Sequence, residues 1–340
     1  MSKYSPPYNI TPAIVNSIAE ISELLGHWSA TGKLASPQLR KENRIRTIQA
    51  SLAIEHNSLS IEQVTAIMDG KHVLGPVRDV QEVRNTILAY ERVLQWNSGN
   101  IKHFQQAHKL LTKGLVEYSG NWRNSGVGIY RENQLIHMAP QADRVPMLMQ
   151  SLFDWLNQTD THPLIKSCIF HYELEFIHPF SDGNGRMGRL WQTLILSEWR
   201  KELAWLPVET LVCENQEKYY QVLGEADRAG DCTCFIDFML QTIASSLKAS
   251  ITDTSNQNNV GENVGELSEK NNTIKITQTA KNILKILKND STATIADLST
   301  QLGVSTRTIE RNLKQLQEQG LLKRLGSATK AGYWSVVSLE

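Results

Sequence analysis

Apolar side chains recur at helical spacing through the first third of the chain. Residues 10–118 carry them three and four positions apart, which places an apolar stripe on one face of each helix. Pro76 interrupts the pattern, because proline breaks a helix from within, and a second stripe follows it. The two stripes are Ile14, Ile18, Ile21 and Leu24, and then Val80, Val83, Ile87, Tyr90, Val93 and Leu94. We therefore predict a largely helical N-terminal region.

Two further helices flank a short polar loop. Apolar positions within 164–172 predict a helix before the loop, and those within 190–199 predict another after it. Pro179 excludes helix at His178, so we expect that histidine to stand exposed where the first helix ends. The turn Gly183-Asn-Gly185 then leads directly into the start of the second helix.

The chemistry of this loop favours a polyphosphate ligand. Free N–H groups and the positive end of the helix dipole attract anions to a helix start, and Gly183 and Gly185 let the backbone approach a ligand closely. Arg186 and Arg189 share one face of the first turn, where the dipole disfavours cations unless an anion lies between them. We interpret the segment as a phosphate-binding loop.

The segment from His178 to Arg189 resembles the signature of the Fic family of AMP-transferring enzymes. It fills all eight specified positions of His-Pro-Phe-x-x-Gly-Asn-Gly-Arg-x-x-Arg. A shorter alternative is the dinucleotide fingerprint, since Gly183, Gly185 and Gly188 have its spacing. That fingerprint needs a preceding strand and an acidic residue about 20 positions on, and the helical period before the loop disfavours it.

The resemblance implies a reaction and a role for each residue. A hydroxyl of Tyr, Thr or Ser, in a target protein or in the chain itself, would attack ATP bound with Mg²⁺. His178 would be the general base, because an ordinary histidine pKa of about 6.5 leaves it largely neutral at pH 7. Asp182 would be the Mg²⁺ ligand, since one carboxylate beside the phosphates is sufficient. The implied phosphate ligands are Gly183, Asn184, Gly185, Arg186 at the β-phosphate and Arg189 at the γ-phosphate.

A second resemblance lies upstream, at Ser51-Leu-Ala-Ile-Glu55-His56. It is similar to the family's inhibitory pattern, with Ser51 at the first position, but His56 stands where the family has glycine or asparagine. The resemblance implies that Glu55 pairs with Arg189 and takes this arginine away from the γ-phosphate. The alternatives are a solvated glutamate on a helix and a glutamate that orients water for the removal of AMP.

Two candidate features lie on either side of the loop. Short apolar runs within 126–140 surround Glu132-Asn133 and predict a β-hairpin. The family has a flap there, beside which an extended target segment could add as a strand, and an ordinary surface hairpin is the alternative. Tyr219 and Tyr220 resemble part of the family's closing helices. One of them could line an adenine pocket, although core positions are the simpler interpretation.

The C-terminal part of the chain has a different composition. From 250 to 275 the apolar period is lost and Asn, Ser, Thr, Glu and Gly dominate, which predicts a linker. Residues 276–340 resemble a winged helix-turn-helix domain, and their nine Lys/Arg against five Asp/Glu give a modest positive excess. Such a domain reads DNA with the start of its recognition helix, unless it serves dimerisation or partner docking instead. The residues at that position are Thr306, Arg307, Thr308 and Arg311.

Composition and cysteine spacing disfavour a membrane protein, a secreted protein and a zinc-binding protein. The 340 residues carry no formal net charge, and neither an apolar leader nor a membrane-spanning run occurs, so we expect a cytoplasmic protein with no membrane partner. The four cysteines lack the spacing of a zinc site and are expected to be free thiols.

The expected fold class is mainly α. The expected domains are an N-terminal helical region with the inhibitory motif over 1–105, a Fic catalytic core with a small β-hairpin flap over 106–250, a linker over 251–275 and a winged helix over 276–340. The expected partners are ATP, a protein target with an accessible hydroxyl and DNA, and a homodimer is left open. A DNA-binding regulator whose Fic domain modifies itself is the alternative to an enzyme with a separate target.

Overall fold

The chain folds as two compact units, Met1–Glu262 and Asn263–Glu340. The structure is a computed structural model. It describes residues 4–30, 36–131, 134–258, 278–291, 293–302, 306–318, 321–325 and 333–336.

Helices build most of the described first unit. Its elements in chain order are α1 (Pro12–Ala30), α2 (Pro37–Ile54), α3 (Ile61–Met68), α4 (Val77–Arg92), α5 (Ile101–Leu111), β1 (Gly128–Arg131), β2 (Gln134–Met138), α6 (Val145–Gln158), α7 (Pro163–Ile177), α8 (Asn184–Trp199), α9 (Val208–Glu214), α10 (Gln216–Ala229) and α11 (Thr233–Asn258). Short 3-10 helices lie at Val93–Gln95, Ala142–Arg144 and Lys201–Trp205. Among the described residues of 10–118, the prediction of a largely helical region is confirmed.

Local sequence sets where several helices begin. Helices α2 and α7 begin with Pro37 and Pro163. The fixed φ of proline suits the first helical turn, and its missing N–H costs no hydrogen bond because that group has no acceptor within the helix. Ser60 and Gln63 form a reciprocal capping box at the start of α3, so two otherwise unpaired N–H groups find acceptors.

Helices α7 and α8 pack against each other in the centre of the first unit. Nearly every side of both helices is buried, which explains why α7 lacks a polar face. An aromatic cluster centred on Phe104 holds the pair, with Trp191 meeting it edge to face at a centroid distance of 4.9 Å. Phe180 stacks on Phe104 at 5.6 Å, so the loop between α7 and α8 is anchored in the core.

Helix α2 is fixed by a buried cation. Arg44 is 7% exposed, and its guanidinium lies 5.1 Å from the ring centre of Tyr90 and 4.5 Å from that of Trp205. Since Tyr90 belongs to α4 and Trp205 follows α8, this contact ties α2 to both neighbours. The C-terminal end of α2 is thereby held beside the start of α8.

A short hairpin lies between α5 and α6. Strands β1 and β2 pair antiparallel, with Gly128 opposite Met138 and Arg131 opposite Gln134. Beyond the strands, the N–H of Ala139 donates to the carbonyl of Val127 at 3.2 Å. Residues 132 and 133, where we predicted the turn, lie outside the described residues. The role of this hairpin as a flap stays a prediction.

Helix α11 runs further than the sequence analysis predicted. It continues to Asn258, although we expected a linker from residue 251. The polar composition ends the apolar stripe, but no glycine or proline stops the helix, and extending an existing helix costs little compared with starting one. The rest of the predicted linker, 259–275, lies outside the described residues. Among the described helices, none is both long and apolar enough to cross a membrane.

The second unit has its own small core. Its elements are α12 (Gln278–Asn289), α13 (Ile295–Leu302), α14 (Thr306–Glu318), β3 (Leu322–Leu325) and β4 (Tyr333–Val336). The two strands pair antiparallel, with Leu322 opposite Val336. Ile283, Leu298, Ile309, Leu316 and Trp334 are among its buried side chains. Three helices followed by a two-stranded sheet agree with the predicted winged helix-turn-helix, while residues 326–332, between the two strands, lie outside the described residues.

The contact between α7 and α8 gives a testable prediction. A Cβ added at Gly188 would lie 2.7 Å from Cδ2 of the buried His171 ring, so Gly188→Ala should lower the free energy of unfolding by about 1–3 kcal/mol. The matched control is Gly26→Ala in α1, where nothing lies within 4 Å of the added carbon. It should raise the free energy of unfolding by about 0.5–1 kcal/mol. Urea denaturation followed by fluorescence measures both, and equal changes would contradict the packing argument.

Candidate active site

His178 ends helix α7 in a left-handed backbone conformation. Its φ is 49°, and its N–H donates to the carbonyl of Leu174 at 2.8 Å. Its own carbonyl accepts from Nε of Arg123 at 2.7 Å. The side chain is half-buried rather than exposed as we predicted, because the chain turns back toward the core at Pro179 and Phe180.

Asn184 closes the loop on itself. Its side-chain oxygen accepts the N–H of Phe180, and its side-chain nitrogen donates to the carbonyl of Phe180, both at 2.9 Å. The residue is 2% exposed, so its amide shapes the loop and is not free for the predicted phosphate contact. The main-chain N–H groups of residues 184–186 have no acceptor within α8, because they form its first turn. Gly183 precedes them at a φ of 84°, a conformation that suits glycine.

A histidine that the sequence analysis missed supports the same loop. The His108 ring stacks on Phe180 with a centroid distance of 3.5 Å. Its Nδ1 accepts the N–H of Gly120 at 2.9 Å, so its Nε2 must carry the proton that is donated to the carbonyl of Asp182 at 2.9 Å. Burial lowers the pKa of His108 to about 4, so the ring is neutral. Its place on α5 was visible in the sequence, but nothing there indicated its partner.

Two positive side chains hold the predicted Mg²⁺ ligand. Asp182 accepts from Nη2 of Arg78 at 2.9 Å and from Nη2 of Arg186 at 3.1 Å. A single carboxylate at the edge of the loop fits Mg²⁺, since this ion takes its other ligands from phosphate and water. The described residues contain no cluster of three or more metal-binding side chains.

Arg186 is buried beside the loop. It is 3% exposed, and its Nη1 lies 3.5 Å from the carboxylate of Glu82 on α4. Within the described part of the chain, its Nε and Nη1 make no hydrogen bond. A buried guanidinium with unused donors is costly, and an anion at the start of α8 would supply the missing acceptors.

Arg189 is bound by the end of α2. Its Nη2 donates to Glu55 at 2.8 Å and to the carbonyl of Ser51 at 3.0 Å, and its Nε donates to the Ser51 hydroxyl at 3.1 Å. Burial acts to lower the pKa of Arg189, but the adjacent Glu55 carboxylate outweighs it and raises the pKa. A Cβ built on Gly185 would lie 2.4 Å from Oε1 of Glu55. The carboxylate therefore covers the first turn of α8.

His56 takes the backbone conformation that its position requires. Its φ is 66°, its N–H donates to the carbonyl of Ala53, and the N–H of Asn57 donates to the carbonyl of Leu52. These two bonds are a Schellman motif, in which the residue after the helix is left-handed. Glycine and asparagine adopt this conformation most easily, and histidine adopts it more often than most residues. Histidine in place of glycine or asparagine therefore does not change the direction in which Glu55 points.

The two candidate adenine-pocket tyrosines differ. Tyr219 is 1% exposed, and its hydroxyl donates to Nε2 of the buried His171 at 3.0 Å. It belongs to the core, in agreement with the simpler interpretation. Tyr220 is half-buried, with its ring centre 5.3 Å from that of Tyr219, and remains a candidate.

In the second unit, the predicted DNA-reading residues lie at the start of α14. Thr306 and Arg311 are exposed and Thr308 is half-buried. The side chain of Arg307 lies outside the described residues.

Comparison with known proteins identifies the family. The Fic/DOC family model matches residues 98–196. The crystal structure of a Fic family protein from Desulfovibrio desulfuricans G20 is 44% identical, covers 99% of both chains and superposes with a TM-score of 0.72. The chain belongs to the Fic family. A model described as HTH domain matches residues 279–333, in the second unit of this Fic protein.

More distant relatives match about two thirds of the chain. A protein adenylyltransferase Fic from Nematostella vectensis is 27% identical over 233 residues, which cover 66% of this chain and 52% of the relative. The match thus spans about half the length of that relative. A Fic domain containing signaling protein from Bacteroides thetaiotaomicron VPI-5482 is 17% identical, covers 70% of this chain and 98% of its own, and shares the fold with a TM-score of 0.57.

The neutral state of His108 gives a prediction for pH. An unfolded histidine has a pKa of about 6.5, whereas the pKa of folded His108 is about 4, so the unfolded chain binds more protons between these values. Its contribution should make the free energy of unfolding fall as pH falls through this window, by up to about 1.4 kcal/mol per pH unit. His108→Gln keeps a donor and an acceptor but removes this slope. Urea denaturation between about pH 4.5 and 7 measures the difference, with exposed His27→Gln as control, and parallel pH curves for wild type and His108→Gln would contradict it.

Proposed function

We propose that this Fic protein is a protein adenylyltransferase that moves AMP from ATP to a hydroxyl side chain of a protein. The observation that carries the proposal is the pair of buried arginines in the first two turns of α8, the helix that follows the His178 loop. Arg186 has N–H groups that no described group accepts, and the phosphates of ATP would accept them. The relative from Nematostella vectensis, named a protein adenylyltransferase, supports the same reaction.

His178 is the proposed general base. The target hydroxyl loses its proton to the imidazole while its oxygen forms a bond to the α-phosphorus. The bond from the α-phosphorus to the bridging oxygen breaks, and pyrophosphate leaves. Hydrogen bonds from His178 to Leu174 and from Arg123 to His178 fix the backbone at this residue, so the base starts from a set position.

The phosphates would lie against the start of α8. Its unpaired main-chain N–H groups, Arg186 and Arg189 would neutralise the charge that develops on them. Asp182 would hold Mg²⁺, which when bound neutralises phosphate charge. Arg78 must then leave Asp182 or share its carboxylate with the ion, since Nη2 of Arg78 lies 2.9 Å from that carboxylate.

Glu55 is the proposed inhibitory residue. Its carboxylate occupies Arg189 and stands over Gly185, where the γ-phosphate would otherwise bind. ATP would then bind weakly or in a geometry unsuited to attack. The buried Ser51 adds two further bonds to Arg189, so the end of α2 competes as a unit.

The hairpin of β1 and β2 is the proposed docking edge for an extended target segment, which would pair with it through main-chain hydrogen bonds. Removal of AMP, with Glu55 orienting a water, and a DNA-binding regulator whose Fic domain mainly modifies its own chain are the alternatives. Mass spectrometry after incubation with ATP distinguishes these functions. AMP on a second protein supports the proposal, AMP on this chain alone supports the regulator, and loss of AMP from a modified protein supports the removal reaction.

DNA binding is the second proposed function, because the match to the HTH domain falls on the second unit. The exposed Thr306 and Arg311 lie at the start of α14, the position from which such helices reach base edges.

His178→Ala should lower AMP transfer by about 10² to 10⁴ fold, the usual contribution of a general base. Nucleotide binding should change little, because the imidazole does not hold the phosphates. Transfer of labelled AMP and calorimetric binding of ATP measure the two effects. Exposed His27→Ala in α1 is the control, and transfer at the wild-type rate by His178→Ala would remove this histidine from the mechanism.

Glu55→Gly should raise AMP transfer by about tenfold for each 1.4 kcal/mol of competition that is released. Adding Arg189→Ala should cancel this gain, since both changes act through one contact and cannot be additive. Labelled AMP incorporation by the wild type, both single variants and the double variant completes the cycle. Exposed Glu117→Gly, in a turn, controls for the loss of one negative charge. A lower rate in Glu55→Gly would instead favour the hydrolytic role.

Binding of duplex DNA by the full chain should weaken steeply as salt rises, because counterions are released from the phosphates. Arg307→Ala and Arg311→Ala should weaken it further, whereas Lys288→Ala in α12 should do so less. Fluorescence anisotropy with a pool of genomic fragments measures this. If no fragment binds even at low salt, the second unit serves dimerisation or protein docking.

A further inference from the structure

Arg123 lies in the segment between α5 and β1 and is 5% exposed. Its guanidinium donates to four main-chain carbonyls. Nε contacts His178 at 2.7 Å, Nη1 contacts Ser125 at 2.8 Å, and Nη2 contacts Pro140 and, at 3.4 Å, Ile177. Its main-chain N–H donates to the carbonyl of Pro179 at 2.9 Å.

This set of acceptors differs from that of an ordinary buried ion pair. The described residues offer Arg123 no carboxylate within ion-pair distance, so its charge is satisfied by carbonyl dipoles alone. A buried cation without a counter-ion is costly, and apolar residues of similar size often stabilise a core equally well. The presence of arginine at this position is therefore better explained by the directions in which its N–H groups donate than by a contribution to the stability of the fold.

The carbonyls belong to two different features of the site. Ser125 and Pro140 lie at the two ends of the hairpin, just outside the bond that joins Ala139 to Val127. Ile177 and His178 form the end of α7, where the proposed base stands. One planar guanidinium thus connects the base of the hairpin to the backbone of His178.

We propose that Arg123 is a positioning residue that sets the distance between the hairpin and His178, and hence between a docked target hydroxyl and its base. The inference rests on the proposed function, since that function assigns docking to the hairpin and proton acceptance to His178. Misplacement of a reacting group by about 1 Å can lower a rate by about 10²-fold, so a loosened hairpin should reduce attack by a protein hydroxyl.

Attack by water provides the comparison. In hydrolysis of ATP to AMP and pyrophosphate, a water oxygen bonds to the α-phosphorus, His178 takes the proton, and the bond to pyrophosphate breaks. Water needs no docking at the hairpin. A residue needed only for folding or for ATP binding would lower both reactions together, whereas a residue that positions the hairpin would change their ratio.

The experiment uses the full chain in the Glu55→Gly background with ATP labelled in the α-phosphate. AMP bound to protein by auto-modification and free AMP are quantified from the same reaction. Arg123→Lys keeps the charge but cannot reach carbonyls on both sides, and it should lower the ratio of protein-bound to free AMP by about tenfold or more. Arg144→Lys, at an exposed position after the hairpin, should leave the ratio unchanged.

Each outcome decides a separate point. If the Glu55→Gly reference labels no protein, the proposed function fails, whatever Arg123 does. If it labels protein and Arg123→Lys keeps the same ratio, only the positioning role is wrong. Arg123→Met, which fills similar volume without donors, replaces the lysine variant if that variant does not fold. If neither variant folds while Arg144→Lys does, Arg123 is a folding residue and the proposal is overturned.

Discussion

Two buried arginines at the positive end of helix α8 are the constraint on which the site depends. The helix dipole and the loss of solvent both disfavour cations there, so each guanidinium must have anionic or strongly polar partners. Ser51 on α2 and Glu55 at its C-terminal cap contact Arg189, whereas Glu82 on α4 and Asp182 in the loop contact Arg186. These contacts of α2 and α4 with the arginines of α8 therefore meet the same electrostatic requirement that suits the site to a polyphosphate.

The proposed inhibition and the proposed nucleotide binding use the same donors. A carboxylate satisfies Arg189 in the free chain, and a phosphate would satisfy it in the complex, so the two states compete at one guanidinium. The remaining unused donors lie on Arg186, whose nearest carboxylate is 3.5 Å away. In the free chain, the charge of Arg189 is thus compensated by Glu55, whereas the charge of Arg186 is compensated only partly.

Hydrogen bonds to main-chain groups, beside the ion pairs of Asp182, shape the loop that carries His178. Asn184 bridges the loop through Phe180, and the neutral His108 holds the carbonyl of Asp182. Arg123 is charged, but it too acts on carbonyl groups. Directional bonds to the main chain fix backbone position without adding a further negative charge beside the proposed phosphate site, where it would weaken binding of an anion.

The sequence by itself determined the helices around the site and the order of its chemical groups. Apolar period, proline and glycine act over a few residues, so the end of α7 at His178 and the start of α8 at Asn184 could be located without a structure. The presence of Arg186 and Arg189 in one helical turn follows from the same local rules. The match between Glu55 and Arg189 came from family resemblance, since no local rule joins residues 134 positions apart.

Only the tertiary structure decided which groups meet. It placed Tyr219 in the core, turned the Asn184 amide toward Phe180, and brought His108 and Arg123 to the loop from outside the signature. It also showed that His56 can complete the end of α2 in a left-handed conformation. These contacts depend on how helices distant in sequence pack, because a hydrogen bond requires a position and a direction that the pattern of residue types does not contain.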